Sequence, residues 1–398
     1  MSRPLPLSST RLLRALSFFS LLGVASCTTL DATGTSSDDA ISAGDDQAEH
    51  TSAPASIEVR SLGGLVPDTA FSFDVPRGAI GFTLTVLAND PDVVVRSLVS
   101  PTGHVAVTDG VPEGGTRAIG RGSRGAASVA YPASTASLAG DAVVPGRWTA
   151  VVHGPVSAPV SLRVQNTGDG RFHGGALDLD VYVPRGLFVH DPEPVHALDT
   201  DTIARDACLE RRVAIFYSML ERLVGIRRGA VRYYAIDERY RSATTGDARA
   251  ALLSAPSTRH PGLAVVLTND MSYGGGDPLL GYSVGLPGLV DGFGLPQGAI
   301  AVALNKGSDA TNDALTLLHE LGHFTGLMHT TDPDSEDLLA DTPTCSKGQT
   351  PCADETNLMA FSGPSGGLTL SPSQVRIMQA SPFYRATRAS ATGTTIGN

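Results

Sequence analysis

Residues 319–329 read His-Glu-Leu-Gly-His-Phe-Thr-Gly-Leu-Met-His, and this stretch decides the fold of the C-terminal half of the chain. A helix turns once in about 3.6 residues, so His319 and His323 project from one face, one turn apart. That spacing suits two imidazole nitrogens reaching one zinc ion at about 2.0–2.1 Å. Glu320 lies beside the first of them, where its carboxylate can take a proton from water at the metal. Gly326 can adopt the left-handed conformation that ends a helix and swings the chain back. The turn brings His329 round as a third nitrogen ligand and leaves a fourth position open, the layout of a catalytic rather than a structural zinc. Three of the ten histidines in the chain fall in these eleven residues. In a packed core each of them would need its own hydrogen-bond partner, which favours a metal.

The helix around the motif is also legible. Thr311 or Asn312 can cap its start, and Asp313 then sits in the first turn, where the helix dipole favours an anion. Ala314, Leu315, Leu317, Leu318, Leu321 and Phe324 make it apolar around most of its circumference. A helix of that kind is buried on several sides, so the metal is expected deep in its domain.

At these residues the chain resembles the metzincin clan of zinc endopeptidases, whose extended motif is H-E-x-x-H-x-x-G-x-x-H followed by a methionine turn. Asn357-Leu358-Met359-Ala360-Phe361 is the candidate Met-turn, thirty residues beyond His329. Within the clan the chain is most similar to the pappalysin-type family, on Asp341-Thr342-Pro343, Leu280-Gly281-Tyr282 and Leu370-Ser371-Pro372-Ser373-Gln374. The likeness spans roughly residues 175–385, and its specific part lies within 315–375. It implies an α+β zinc protease domain: a mixed sheet, an active-site helix and a Met-turn, with Met359 as a floor beneath the histidines. It also implies Zn2+ on His319, His323 and His329, Glu320 as general base, and an extended peptide substrate pairing with the sheet's edge strand. One departure stands out. Many metzincins carry a tyrosine two residues after the turn methionine, and here that position is Phe361, which has no hydroxyl. Tyr282 is the nearby tyrosine that could substitute.

The amino terminus bears on compartment. Arg3, Arg11 and Arg14 form a basic segment, and Ala15–Ala25 a short apolar one, so residues 1–26 read as a signal peptide. Val24-Ala25-Ser26-Cys27 reads as a bacterial lipobox with Cys27 as the lipidated residue; a plain signal peptide with an incidental cysteine is the alternative. The expected location is therefore the cell envelope, membrane-anchored, or secreted. Removing residues 1–26 takes away three arginines and no acids, so the formal charge moves from −11 to −14. Such an acidic protein repels phosphate backbones, which argues against nucleic-acid partners. Residues 27–56, polar and nearly free of large apolar groups, read as the lipidated cysteine and a flexible linker.

Residues 57–170 read as an all-β sandwich or jelly roll. Phe82, Leu84 and Val86 alternate with Thr83 and Thr85, and Trp148, Ala150 and Val152 with Thr149 and Val151, the period of strands with one inward face. A role as spacer between membrane and enzyme is the default expectation for this domain. Residues 175–385 follow as the catalytic domain, with a strand at Leu177–Val183 and a helix capped by Asp201 or Thr202 that runs to Gly225. Further strands are expected at Val231–Ile236, 262–267 and 299–304, and residues 386–398 as a flexible tail.

Cys345 and Cys352 are close enough to form a disulfide in an oxidising compartment, leaving Cys208 as a buried thiol. Asp277, Asp332, Asp334, Glu336, Asp337 and Asp341 offer oxygen ligands to Ca2+, or are simply solvated. Two other functions fit the same residues: a non-catalytic surface lipoprotein with a decayed protease domain, and a zinc hydrolase of cell-wall amide bonds. Nothing in the sequence sets an oligomeric state.

Overall fold

The computed structural model describes residues 56–389, apart from Asn89, Pro91, 116–120, 123–125, 140–142, 190–195, 199–201, 248–261, 274–275, 277, 284–286, 288–298, 305–308, 331–336, 344–354 and 362–367. Cys27, Cys345 and Cys352 therefore lie outside the described residues, as do the signal peptide, the linker, Asp277, Asp332, Asp334 and Glu336.

The first half of the described chain forms two five-stranded antiparallel sheets. One runs in the order Ile57–Gly64, Pro159–Asn166, Ala79–Leu87, Ala126–Tyr131, Arg121–Gly122. The other runs Ala70–Val75, Gly146–His153, Val94–Val99, Val105–Thr108, Val111–Pro112. Side chains alternate across each strand, so Phe82, Leu84, Trp148, Ala150 and Leu162 meet between the sheets and are fully buried. Phe82 and Trp148 pack edge to face at 5.0 Å.

The opposite face of the first sheet departs from the sequence expectation. Its Thr83, Thr85, Ser128, Arg163 and Gln165 are buried as well, because the second half of the chain lies against them. Gly81 abuts the carbonyl of Ala380, Gln165 Nε2 donates to the Tyr384 carbonyl at 2.8 Å, and Ser128 Oγ to the Pro287 carbonyl at 2.6 Å. The sandwich is thus packed directly onto the second half of the chain.

The second half is built on a mixed sheet in the order Ile226–Ile236, Gly175–Pro184, Leu263–Thr268, Ala299–Ala303, Gly281–Ser283. The first four strands are parallel; the last is antiparallel and stands at the edge. Leu263–Thr268 and Ala299–Ala303 are buried throughout, which explains their unbroken apolar sequence. Leu177, Leu179, Val181 and Val183 face the helices, while Asp178 and Asp180, on the reverse face, engage Arg232 and Arg385.

Two long helices cover the inner face. The Ala207–Val224 helix makes the crossover between the first two parallel strands and ends at Gly225, which is left-handed with φ 81°. Its cap is Asp206, which accepts from Leu209 N, and not Asp201 or Thr202; Ile203–Arg205 form a preceding 3-10 turn. The motif helix runs Ala310–Thr325 and is capped by Asp309, which accepts from the backbone N–H groups of Thr311 and Asn312. Those two residues, expected as caps, are instead the first turn that Asp309 caps. Asp313 does more than meet the helix dipole. It is buried and accepts from Arg212 Nε at 2.7 Å, tying the motif helix to the Ala207–Val224 helix.

Cys208, on the same helix turn, is disulfide-bonded and not a free thiol. The expected Cys345–Cys352 pair lies outside the described residues.

Removing one member of the Arg212–Asp313 pair leaves a buried charge uncompensated. Asp313→Ala is expected to lower unfolding free energy by about 3–5 kcal/mol in a denaturant titration. An unchanged midpoint would mean that the two helices are aligned by apolar packing alone.

Candidate metal centre

The motif helix ends where its sequence says it should. Gly326 takes φ 109°, its N–H bonds back to Gly322 and His323, and Leu327 N bonds to the Gly322 carbonyl. The chain reverses there and carries His329 back across the last turn of the helix. His319 Nε2 and His323 Nε2 then lie 3.1 and 3.0 Å from His329 Nε2. Ligands about 2.0–2.1 Å from a tetrahedral zinc stand about 3.3 Å apart, so this donor set fits one such ion with little adjustment.

The rings are held from behind. His319 Nδ1 donates to the Leu358 carbonyl at 2.7 Å, and His323 Nδ1 donates to the Leu327 carbonyl at 2.8 Å. With the proton on Nδ1, each Nε2 presents a lone pair to the common centre. Burial keeps these rings neutral. It pushes His319 down to about 4 and His323 well below the usual imidazole range, and the neighbouring histidines add to the effect. Neutral imidazole is the form that binds a metal.

Glu320 projects from the same turn and is buried. Burial raises its carboxyl to about 8, partly opposed by a hydrogen bond from the backbone N–H of Ser283. That bond comes from the edge strand, which passes very close: a Cβ on Gly281 would lie 2.6 Å from both Cγ and Oε1 of Glu320. Only glycine lets the strand approach the carboxylate so closely. Alternation along the strand turns Tyr282 to the other face, where it packs against the cluster of Tyr182, Val266 and Ala301. Tyr282 therefore does not point towards the histidines and does not substitute for the missing tyrosine.

Met359 is fully buried beneath the motif helix. A Cβ on Gly322 would lie 2.4 Å from its sulfur, so the glycine inside H-E-L-G-H makes room for the methionine. The Met359 carbonyl accepts from Thr330 N, next to the third histidine. Phe361 is 63 % exposed and stands edge-on to the His329 ring, with centroids 5.2 Å apart. It presents an aromatic wall and no hydroxyl.

Five residues position the site in ways the motifs do not spell, although Gly281, Gly322, Asn357 and Gln374 lie within the quoted stretches and only Ser283 lies outside them. Gly281, Ser283 and Gly322 are set by close backbone approach, and Asn357 and Gln374 by a buried amide pair. Asn357 Nδ2 donates to Gln374 Oε1 at 2.8 Å, and Asn357 Oδ1 accepts from Met359 N at 2.8 Å. The Ser-x-x-Gln spacing of Ser371 and Gln374 was the available signal for the last of these, because it spells a helix capping box.

Of the acidic residues considered for calcium, Asp337 accepts from Leu339 N and Thr342 Oγ1, and Asp341 from Ser371 Oγ and Ser373 N. Both carboxylates serve the chain's own donors. A second cluster of metal-ligating types, His196, Asp206 and Cys208, is taken up by a 2.6 Å His196–Asp206 hydrogen bond and by the Cys208 disulfide.

No family model matches the chain, and no curated relative matches it. Among solved structures it is similar to archaemetzincin from Methanopyrus kandleri, at 15% identity over 52% of this chain and 88% of that one, with a TM-score of 0.29. It is also similar to metalloproteinase-II from Bacteroides fragilis, at 14% identity over 57% of this chain and 63% of that one, with a TM-score of 0.32. Likeness at this level carries no weight by itself, and what can be inferred about the chain rests on its own residues.

Proposed function

We propose that the chain is a zinc-dependent endopeptidase that hydrolyses protein or peptide bonds outside the cytoplasm. The observation that carries this reading is the convergence of His319 Nε2 and His323 Nε2 on His329 Nε2, at 3.1 and 3.0 Å, beside the buried carboxylate of Glu320. Zinc held by His319, His323 and His329 would polarise the scissile carbonyl and acidify the attacking water. Glu320 takes the proton from that water and delivers it to the leaving amine. Ser283 N–H and the Gly281 backbone fix the carboxylate's position. Met359 serves as the floor of a Met-turn under the ligands. Among the described residues the Gly281–Ser283 strand ends the sheet, and it is the strand beside Glu320 with which an extended peptide would pair. Phe361 lines the cleft beside His329. A disulfide at Cys208 and a lipobox at Cys27 both support an oxidising, envelope-side location.

Casein and peptide-library cleavage, run beside isolated cell-wall material, tests the reading. Cleavage of protein alone supports the endopeptidase, and release of wall fragments alone would replace it with a cell-wall amidase. Glu320→Gln should keep one equivalent of zinc and lose about 10²–10⁴-fold in kcat. His323→Ala should lose both zinc and activity. Gly281→Ala should behave like a milder Glu320 variant, with zinc content unchanged and kcat reduced, because the new methyl displaces the base. Wild-type kcat in Gly281→Ala would show that Glu320 does not need its observed position.

The shifted groups also set how the metal-free protein responds to pH. His319 and His323 are depressed from 6.5, so their contribution is present above pH 6.5 and is lost as pH falls towards about 4. Glu320 is raised from 4.5 to about 8, so its contribution is present at low pH and is lost as pH rises through 8. Two histidines outweigh one glutamate below pH 6.5, and above it only the glutamate acts. The Tm of chelator-treated protein should peak near pH 6.5. A Tm still rising from pH 6.5 to 8 would contradict a buried, protonated Glu320.

A further inference from the structure

A continuous set of contacts links the N-terminal sandwich to the metal centre, and it begins at a short tongue. Residues 134–138 leave the sandwich, and Leu138 inserts into the apolar core of the second half of the chain. Thr135 grips the segment that follows the zinc motif at two points. Its N–H donates to the Leu338 carbonyl at 3.1 Å, and its Oγ1 accepts from Ala340 N at 2.8 Å. The Leu138 carbonyl accepts from Arg376 of the Pro372–Ala380 helix at 2.8 Å.

The gripped segment leads directly to that helix. Asp341, next to Ala340, accepts from Ser371 Oγ at 3.0 Å and from Ser373 N at 2.9 Å, so it fixes the helix N-terminus. In the same turn Gln374 Oε1 accepts from Ser371 N and from Asn357 Nδ2, and Gln374 Nε2 donates to Asn357 Oδ1. Asn357 in turn holds Met359 N, and between these two residues lies Leu358, whose carbonyl orients His319. Each junction is a hydrogen bond of 3.2 Å or less, and Asn357 and Gln374 are 5 % and 1 % exposed.

We propose that Thr135 is a positioning residue for the metal centre: through Asp341 and the Gln374–Asn357 amide pair, the sandwich sets the Leu358 carbonyl that orients His319. The proposal rests on the three-histidine metal reading. It gives the N-terminal domain a part in the site. Groups that orient a metal-bound histidine typically govern about 10–100-fold in metal affinity. A remote end of the chain is expected to transmit a fraction of that.

The test is the zinc dissociation constant of the full mature chain, measured by competition with a chromogenic chelator, with Tm recorded alongside. Thr135 is exposed, so Thr135→Val removes the acceptor for Ala340 N with little risk to folding. Asn357→Ala should weaken zinc by about 10-fold or more, and Thr135→Val by a few-fold. Thr135→Ser, which keeps the hydroxyl, should match wild type. The double variant Thr135→Val/Asn357→Ala should lose little more than Asn357→Ala alone, because both act through one path. Wild-type zinc affinity in Thr135→Val overturns the proposal even where Tm falls, as do losses that simply multiply in the double variant. A wild-type chain that binds no zinc overturns the metal reading, and the proposal with it.

Discussion

Two imidazole nitrogens, of His319 and His323, brought within 3.1 and 3.0 Å of a third on His329 form an arrangement that a folded chain does not reach by default. Burial opposes protonation of His319 and His323, so both rings are held neutral beside His329. Each of these two is fixed from its other side by a backbone carbonyl, Leu358 for His319 and Leu327 for His323. Much of the second half of the chain serves those two carbonyls. Gly326 sets the turn that delivers Leu327, and the Asn357–Gln374 pair sets the loop that delivers Leu358. The cost of the arrangement is recovered when a cation takes up the three lone pairs, which couples metal binding to stability.

Two glycines without special backbone angles complete the centre by what they leave out. At Gly281 the edge strand comes within reach of Glu320, and at Gly322 the motif helix admits the sulfur of Met359. Both are close approaches of backbone to side chain, in which one added methyl must move either the Glu320 carboxylate or the Met359 side chain. Rigid elements therefore meet the reactive groups directly: a strand above, a helix behind and a capped loop below.

The sequence told much of this, and unevenly. The motif helix, its three histidines, Glu320 and the turn at Gly326 were all legible, because 3.6-residue periodicity and a left-handed glycine leave local signatures. The exact caps were misplaced by two to five residues. Several polar residues precede each helix, and only tertiary packing decides that Asp309 and Asp206 take the role. Asp313 looked like an anion on a helix dipole, and its partner Arg212 lies about a hundred residues away in sequence, where no local pattern reaches. Cys208 was misjudged for the same reason: a disulfide partner distant in sequence cannot be told from cysteine spacing. Tyr282 failed as a replacement hydroxyl on a simple count, since a strand gives alternate residues to opposite faces and Gly281 had already taken the face towards Glu320.

The sandwich shows a deeper limit of pattern reading. Thr83 and Thr85 alternate with Phe82 and Leu84 as solvent-facing residues would, and nothing local distinguishes water from another domain on that side. The structure buries both threonines, and among the described residues their hydroxyls find no partner. Each such group costs about 1–3 kcal/mol. The contacts made in exchange are Leu138 in the neighbouring core, Gln165 on the Tyr384 carbonyl and Thr135 on the segment after the His-Glu motif. Period-two alternation marks which residues share a sheet face, and only such long-range contacts decide whether that face meets water or protein.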